Sequence, residues 1–152
     1  MIRHLQREQF IRAEAGGVWE FFATPANLNE LTPPEVKFRI LGEISPRMFA
    51  GQIIKYRISP LPGLWLNWVT EITRVDEGLG FVDEQRAGPY KLWRHEHRFV
   101  TEDGGVKMFD HVTYDVGWGP FGWLAEKLWV GRQLRHIFDY RMRRVDEIFA
   151  KA

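Results

Sequence analysis

Two histidines lie two residues apart in a segment with the alternating pattern of a β-strand. Residues 90–101 place Trp93, His95, His97 and Phe99 at alternate positions, and the positions between them are mostly charged. Because a strand sends alternate side chains to opposite faces, these four side chains share the face that is expected to be buried. An aromatic face that carries two imidazole rings could transfer protons, bind a metal ion or orient a polar group of a ligand.

The next segment is expected to supply a partner for these histidines. Asp103-Gly104 is a hairpin signal, and the residues after it alternate again as far as residue 117. A two-residue loop here predicts four cross-strand pairs: Phe99 with Met108, His97 with Asp110, His95 with Val112 and Trp93 with Tyr114. The Asp110 carboxylate is therefore expected to face His97 inside an aromatic wall, which indicates a lined pocket and not merely a packed core.

Three interpretations of this polar cluster remain open. The imidazoles and the carboxylate can simply satisfy one another, because buried polar groups need partners. Alternatively, a ligand-binding site would use His95, His97, Asp110 and Tyr114 to orient the polar end of an apolar molecule. In the third interpretation, a histidine held by Asp110 removes a proton next to a carbonyl group, while Tyr114 or the second imidazole steadies the enolate.

Neither a metal ion nor a cofactor is predicted. His-x-His with a cross-strand aspartate can offer two nitrogens and one oxygen, but a single aspartate cannot both bind the ion and orient its imidazoles. The chain has no cysteine, and its two serines, Ser45 and Ser59, stand next to prolines in turns. No G-x-S-x-G motif is present, so nucleophilic serine chemistry is disfavoured as well.

The strand before the two histidines adds two polar candidates. Asp83 and Gln85 share one face of the run 79–87, and the charged residues between and beyond them suit solvent better. A simple two-residue turn at Gly88-Pro89 would place Asp83 on the opposite face from His95. Asp83 can therefore join the cluster only if the connection contains an irregularity such as a bulge.

Composition favours a single domain that spans residues 1–152. The chain has 21 basic and 20 acidic residues, a near balance that gives no argument for a nucleic-acid partner. Its seven tryptophans and eleven phenylalanines can fill a core or line a site for an apolar ligand. Without a signal peptide or an apolar run of about 18 residues, the chain is expected to be cytoplasmic and not stably inserted in a membrane.

Periodicity predicts an α+β fold. A first strand is expected over 4–13, a short helix from Val18 that ends before Pro25, and a second over 26–31. Six strands follow at 36–43, 50–59, 64–76, 79–87, 90–101 and 105–117, joined by turn residues. A single long helix over 119–150 presents an apolar stripe. These elements predict a strongly curved, seven-stranded antiparallel sheet wrapped around the C-terminal helix.

The C-terminal helix carries several further candidates. Gly131 lies within the apolar stripe, where it indicates either a close approach to the sheet or space left for a ligand. Arg135 falls near the stripe and could meet an acidic ligand group or Asp110, whereas the other basic residues suit a solvated face. The aromatic residues before and along the helix start could form a cavity rim or a docking surface; they are Trp118, Phe121, Trp123 and Trp129.

The element order and several motifs resemble those of the SRPBCC superfamily, which includes Bet v 1-like, START and polyketide cyclase/dehydrase proteins. The motifs that carry the resemblance are Phe81-Val82-Asp83-Glu84-Gln85, Gly88-Pro89-Tyr90, the pattern Trp93, His95, His97, Phe99, then Met108, Asp110, Tyr114, Phe121-Gly122 and Ile137-Phe138-Asp139-Tyr140-Arg141. The resemblance implies the helix-grip fold. It also implies a cavity between sheet and helix for apolar or amphipathic molecules, in which some members catalyse cyclisation or dehydration. Because the chain has no G-x-G-x-x-G turn, an epimerase-like partner would have to be a separate protein.

The sequence thus predicts a protein that binds a small hydrophobic or amphipathic molecule, and it leaves the oligomeric state open. Two alternatives remain: a cyclase- or dehydratase-like lyase with His95, His97 and Asp110 as catalytic residues, and an interaction module for a separate enzyme. The predicted ligand-binding residues are Trp68, Asp83, Gln85, Trp93, His95, His97, Phe99, Met108, Asp110, Tyr114, Leu128, Gly131, Arg135 and Phe138.

Overall fold

A computed structural model describes residues 1–151 and contains one antiparallel sheet of seven strands. The strands are β1 (Arg3–Ile11), β2 (Arg39–Leu41), β3 (Ile53–Leu61), β4 (Leu64–Asp76), β5 (Gly80–Ala87), β6 (Leu92–Glu102) and β7 (Gly105–Asp115). Their order in the sheet is β1-β7-β6-β5-β4-β3-β2, so β1 pairs with the last strand and the others form a meander. Helix α1 (Ala15–Phe22) and 3₁₀ segments at Pro25–Leu31 and Pro34–Val36 follow β1.

The C-terminal helical segment runs from residue 119 to residue 150, as predicted, but it is not a uniform α-helix. It consists of α2 (Gly119–Ala125), one π-helical turn (Glu126–Val130) and α3 (Gly131–Ala150). Gln9 of β1 fixes α3 to the sheet, because its side-chain amide donates to the Met142 carbonyl oxygen at 2.7 Å and to Asp146 at 2.9 Å. Among residues 1–151, none of the helices combines the length and the apolar character that a bilayer span requires.

The predicted register of the β6–β7 hairpin is confirmed. All four predicted pairs are present, including His97 with Asp110 and Trp93 with Tyr114. Alternation buries one face of both strands, since the even-numbered residues 106–114 of β7 are buried opposite the odd-numbered residues 93–99 of β6. The pleat therefore brings two histidines and one aspartate to the inner face of the sheet.

The β5–β6 connection is longer than a two-residue turn, and this settles the position of Asp83. Asp83 pairs directly with His95, and pairing between the two strands ends at Glu84 and Arg94. The Gln85 side chain holds the connection: its amide nitrogen donates to the Tyr90 carbonyl oxygen at 2.6 Å, and its oxygen accepts from the Tyr90 backbone N–H at 3.1 Å. The longer connection places Asp83 on the same face as the two histidines.

Candidate functional site

A cavity of about 500 Å³ lies between the inner face of the sheet and the C-terminal helical segment. Its wall is mainly apolar and aromatic, and Trp68 packs edge-on against Trp93 with the ring centroids 5.2 Å apart. Tyr56 stacks on the other side of Trp68 at 5.6 Å. The carboxylate, imidazole and guanidinium groups of the wall meet in one place, where β5, β6 and α3 contribute Asp83, His95, His97 and Arg141.

Two imidazoles and two carboxylates form a closed arrangement, which we call the His–Asp cluster: Asp83, His95, His97 and Asp110. His95 Nε2 lies 2.7 Å from Asp110 Oδ1, and His97 Nε2 lies 2.8 Å from Asp83 Oδ2. The rings lie over each other with centroids 3.7 Å apart, and each imidazole forms a hydrogen bond with one aspartate while its second nitrogen lies near the other. The second contacts are longer: His97 Nδ1 is 3.3 Å from Asp110, and His95 Nδ1 is 3.8 Å from Asp83.

Arg141 completes the cluster from α3. Its Nη2 lies 3.4 Å from His97 Nδ1 and 3.8 Å from Asp110 Oδ1. The guanidinium group also lies over the ring of Phe22, with Cζ 5.6 Å from the ring centroid. An arginine can only donate hydrogen bonds, so His97 Nδ1 accepts this one and the Nε2 proton goes to Asp83. The arrangement therefore sets the tautomer of His97.

The predicted roles of two arginines on the helix are wrong. Arg141 was expected on the solvated face and Arg135 near Asp110, but Arg141 is buried and Arg135 is exposed. Residues 134, 138, 141 and 145 form the buried stripe of α3, and Arg135 follows that stripe by one position, which turns it outward. The position of Arg141, three residues after Phe138, was the signal that could have identified it.

Burial and charge act in opposite directions on the two carboxyl groups. Burial alone would raise the pKa of Asp110, but the positive charge of Arg141 and the hydrogen bond from His95 outweigh it and hold this pKa well below its usual range. The pKa of Asp83 is lowered in the same way, since the hydrogen bond from His97 and the nearby positive charge outweigh burial. Both aspartates are therefore ionised at neutral pH.

The pKa of His95 moves downward to about 4, because burial disfavours the charged ring and the neighbouring His97 adds to the effect. His95 is thus neutral at pH 7 and donates its Nε2 proton to the ionised Asp110. Its Nδ1 then carries a lone pair, and this atom has no hydrogen bond to any residue in the range 1–151. His95 is a hydrogen-bond acceptor in the cavity wall.

The structure brings six of the predicted ligand-binding residues to the cavity wall: Trp68, Asp83, Trp93, His95, His97 and Phe138. The other predicted residues of the sheet do not line it. Asp110 contacts both imidazoles but is not part of the wall, and Phe99 and Met108 belong to the core packed against α1. Gln85 holds the β5–β6 connection, and the Tyr114 hydroxyl donates to Glu126 at 3.1 Å.

Three predicted residues of the helical segment also lie away from the cavity wall. Leu128 is 60% exposed, and Arg135 is exposed as well. A side chain at Gly131 would contact neither the sheet nor a ligand, since its Cβ would lie 2.7 Å from Glu126 Oε1. A π-helical turn, where a regular α-helix was predicted, changes the direction of the side chains around residues 126–130.

Asp83, His95 and His97 are the residues that could hold a metal ion, since each offers a ligand atom and these atoms lie within 4.8 Å of one another. The argument that a single aspartate cannot both bind an ion and orient the imidazoles does not hold here, because the site contains two. Asp83 could bind an ion while Asp110 orients the imidazoles. Arg141 weakens cation binding here, because its guanidinium group places a positive charge beside the imidazoles.

The curved sheet around a long C-terminal helical segment, with a cavity between them, is the helix-grip fold, also called the Bet v 1-like fold. The chain matches no protein-family model and no curated protein. Among solved structures, it is similar to an aromatase/cyclase from a Streptomyces species, with 16% identity, a TM-score of 0.77, and coverage of 99% of this chain and 95% of that one. It is also similar to a point mutant of norcoclaurine synthase from Thalictrum flavum in complex with a transition-state analogue, with 16% identity, a TM-score of 0.66 and coverage of 97% and 96%.

A third similarity concerns part of a larger protein. A nucleoside-diphosphate sugar epimerase from Corynebacterium glutamicum is 26% identical, with a TM-score of 0.63. The match covers 94% of this chain but only 28% of that chain. The similarity therefore concerns one portion of the longer protein.

Proposed function

We propose that this protein binds a small molecule with an apolar body and one polar group, in the cavity between the sheet and the C-terminal helical segment. The observation that carries the proposal is the cavity itself: its volume of about 500 Å³ suits a small organic ligand, and the ionisable groups of Asp83, His95, His97 and Arg141 meet at one place in a largely apolar wall. A ligand would place its apolar body between Trp68 and Phe138 and its polar group at the His–Asp cluster.

The free hydrogen-bonding capacity of the wall limits the polar group of the ligand. His95 Nδ1 and the carboxylate of Asp83 accept hydrogen bonds, which favours a hydroxyl or amine group on the ligand. The indole N–H of Trp68 and the Nε of Arg141 are buried donors without a hydrogen-bond partner among residues 1–151. A carbonyl or hydroxyl oxygen of a ligand would supply such a partner, since an unsatisfied buried donor is costly.

The binding proposal predicts saturable binding of an apolar dye and its loss when the cavity is filled. Nile red is expected to bind with micromolar affinity, about 8 kcal/mol, with increased dye fluorescence and quenched tryptophan emission. Ala125 lies in the cavity wall, so Ala125→Phe would fill part of the cavity and is expected to weaken binding about tenfold or more. The matched control is Ala150→Phe, at an exposed position of α3. Equal affinities for the two variants would contradict the proposal.

The chemistry of the cluster supports ligand recognition better than proton transfer. A general base works best when its pKa is close to the working pH, and a pKa of about 4 makes His95 a weak proton acceptor. We therefore expect His95→Gln and His97→Gln to change the affinity for the ligand and to have no effect on catalysis. The opposite result would be that the protein converts a carbonyl compound and that either variant does so about 100-fold more slowly with unchanged affinity. That result would place the protein among the lyases.

A further inference from the structure

Six large apolar side chains are exposed on one short stretch of the chain, which we call the aromatic rim: Trp118, Phe121, Trp123, Leu124, Leu128 and Trp129. Their exposed fractions range from 40% for Trp129 to 82% for Trp118. A contiguous exposed apolar surface on a globular domain marks an interaction site. The aromatic rim is therefore a candidate docking surface.

The local backbone keeps these side chains outside. Trp118 adopts a left-handed conformation with φ of 62°, immediately before Gly119 and the start of α2. Gly122 packs inward, because its Cβ position lies 1.5 Å from the carbonyl oxygen of Gly117, and this turns the neighbouring aromatic residues toward solvent. Trp118, Phe121 and Trp129 also line the cavity, so the aromatic rim stands at the edge of the ligand cavity.

The exposed charged residues between Trp118 and Arg135 are all basic. Lys127, Arg132 and Arg135 are exposed, and none of them forms an ion pair within residues 1–151. The acidic residue of the stretch, Glu126, is turned inward, where it accepts from the Tyr114 hydroxyl at 3.1 Å and lies 3.5 Å from Arg3. The exposed charges that this stretch presents beside the aromatic rim are therefore positive, although the whole chain carries a formal net charge of only +1.

We propose that the aromatic rim docks on the surface of an anionic lipid bilayer. Tryptophan and phenylalanine prefer the headgroup region of a bilayer, and flanking lysine and arginine residues are attracted by anionic lipids. The Lys127 ammonium group lies 5.1 Å from the Trp123 ring centroid, which places a positive charge at the level of an inserted aromatic ring. Docking of this kind goes beyond ligand binding and does not depend on it, because it can be measured with no ligand present.

Vesicle flotation tests this proposal with the full chain. Vesicles of phosphatidylcholine that contain about 30% of the anionic lipid phosphatidylglycerol are expected to carry the protein with them. Vesicles of pure phosphatidylcholine are expected to carry much less protein. Trp118→Ser/Phe121→Ser is expected to lower the partition coefficient about 100-fold, because two exposed large side chains no longer leave water on binding. The matched control, Phe49→Ser/Leu79→Ser, changes two exposed apolar residues outside the aromatic rim and is expected to bind like the wild type.

A second pair of substitutions tests the charge. Lys127→Gln/Arg132→Gln is expected to reduce binding to the anionic vesicles about tenfold or more and to leave binding to neutral vesicles unchanged. Raised salt is expected to have the same effect on the wild type. No flotation of the wild type with anionic vesicles, or equal flotation of Trp118→Ser/Phe121→Ser, would overturn the proposal. A wild-type dimer that this variant converts to a monomer, without vesicle binding, would identify the aromatic rim as a contact between copies of the chain.

Discussion

Replacing Arg141 with methionine is expected to lower the free energy of unfolding by about 3 to 5 kcal/mol, which is the cost of removing one partner from a buried ion pair. Arg141 is the positive group within 4 Å of Asp110, and both side chains are buried. Methionine has a similar length and keeps the contacts with Phe22 and Phe138, so the loss would come mainly from the charge. Urea denaturation at pH 7 followed by tryptophan fluorescence measures it.

Two further variants separate charge from packing in this experiment. Arg143→Met on the same helix removes an exposed arginine without an ion pair to residues 1–151, and we expect a change below about 1 kcal/mol. Adding Asp110→Asn to Arg141→Met is expected to cost less than the sum of the single changes, because it removes the charge that Arg141 balanced. Strict additivity would show that Arg141 stabilises the fold by packing alone.

The part of the site that the sequence predicted depends on local rules. The alternation of residues 93–99 and the Asp103-Gly104 turn are enough to pair His97 with Asp110, because a two-residue hairpin loop leaves no freedom of register. The seven strands and the two helical regions follow from the same local signals. Their bounds differ from the prediction mainly at strand ends, where turn residues leave the ladder.

The positions of Asp83 and Arg141 did not follow from these local rules, because they depend on a longer connection and on the C-terminal helical segment. Asp83 reaches the face of His95 because Gln85 holds an irregular connection through the backbone of Tyr90, and no turn motif encodes that contact. Arg141 enters the cluster because it continues the buried stripe of Leu134 and Phe138 at regular α-helical spacing, and Arg135 points outward because it follows this stripe by one position. The π-helical turn affects the residues around it, including Leu128, which lies outside the cavity wall.

The strands β5 to β7 and the helix α3 together explain why the His–Asp cluster is stable inside an apolar wall. The hairpin supplies two imidazoles and one carboxylate, β5 adds a second carboxylate, and α3 adds one positive charge. Without Arg141, two ionised aspartates would share a buried region without a guanidinium group to balance them, which burial would penalise strongly. The helix therefore closes the cavity and also supplies the charge that allows both aspartates to remain ionised.

Lowering the pH from 7.5 to 4.5 is expected to cost about 2 to 3 kcal/mol of stability through His95 alone. In the unfolded chain a histidine takes up a proton near pH 6.5, whereas the buried ring of His95 does so only near pH 4, since its pKa is lowered to about 4. The unfolded state therefore binds more protons between these two pH values, and stability falls as the pH falls through this window. Asp83 and Asp110 titrate below it, because their folded pKa values are lowered.

His95→Gln isolates this contribution, because glutamine keeps a side-chain N–H for Asp110 but does not titrate. The variant retains His97, Asp83, Asp110 and Arg141, so its stability curve between pH 4.5 and 7.5 contains every other contribution of the cluster. We expect the wild type to lose about 2 to 3 kcal/mol more than the variant over this range, measured by urea denaturation at several pH values. Parallel curves would mean that His95 is charged as readily in the folded protein as in the unfolded chain. In that case the weak basicity that favours ligand recognition over proton transfer would not hold.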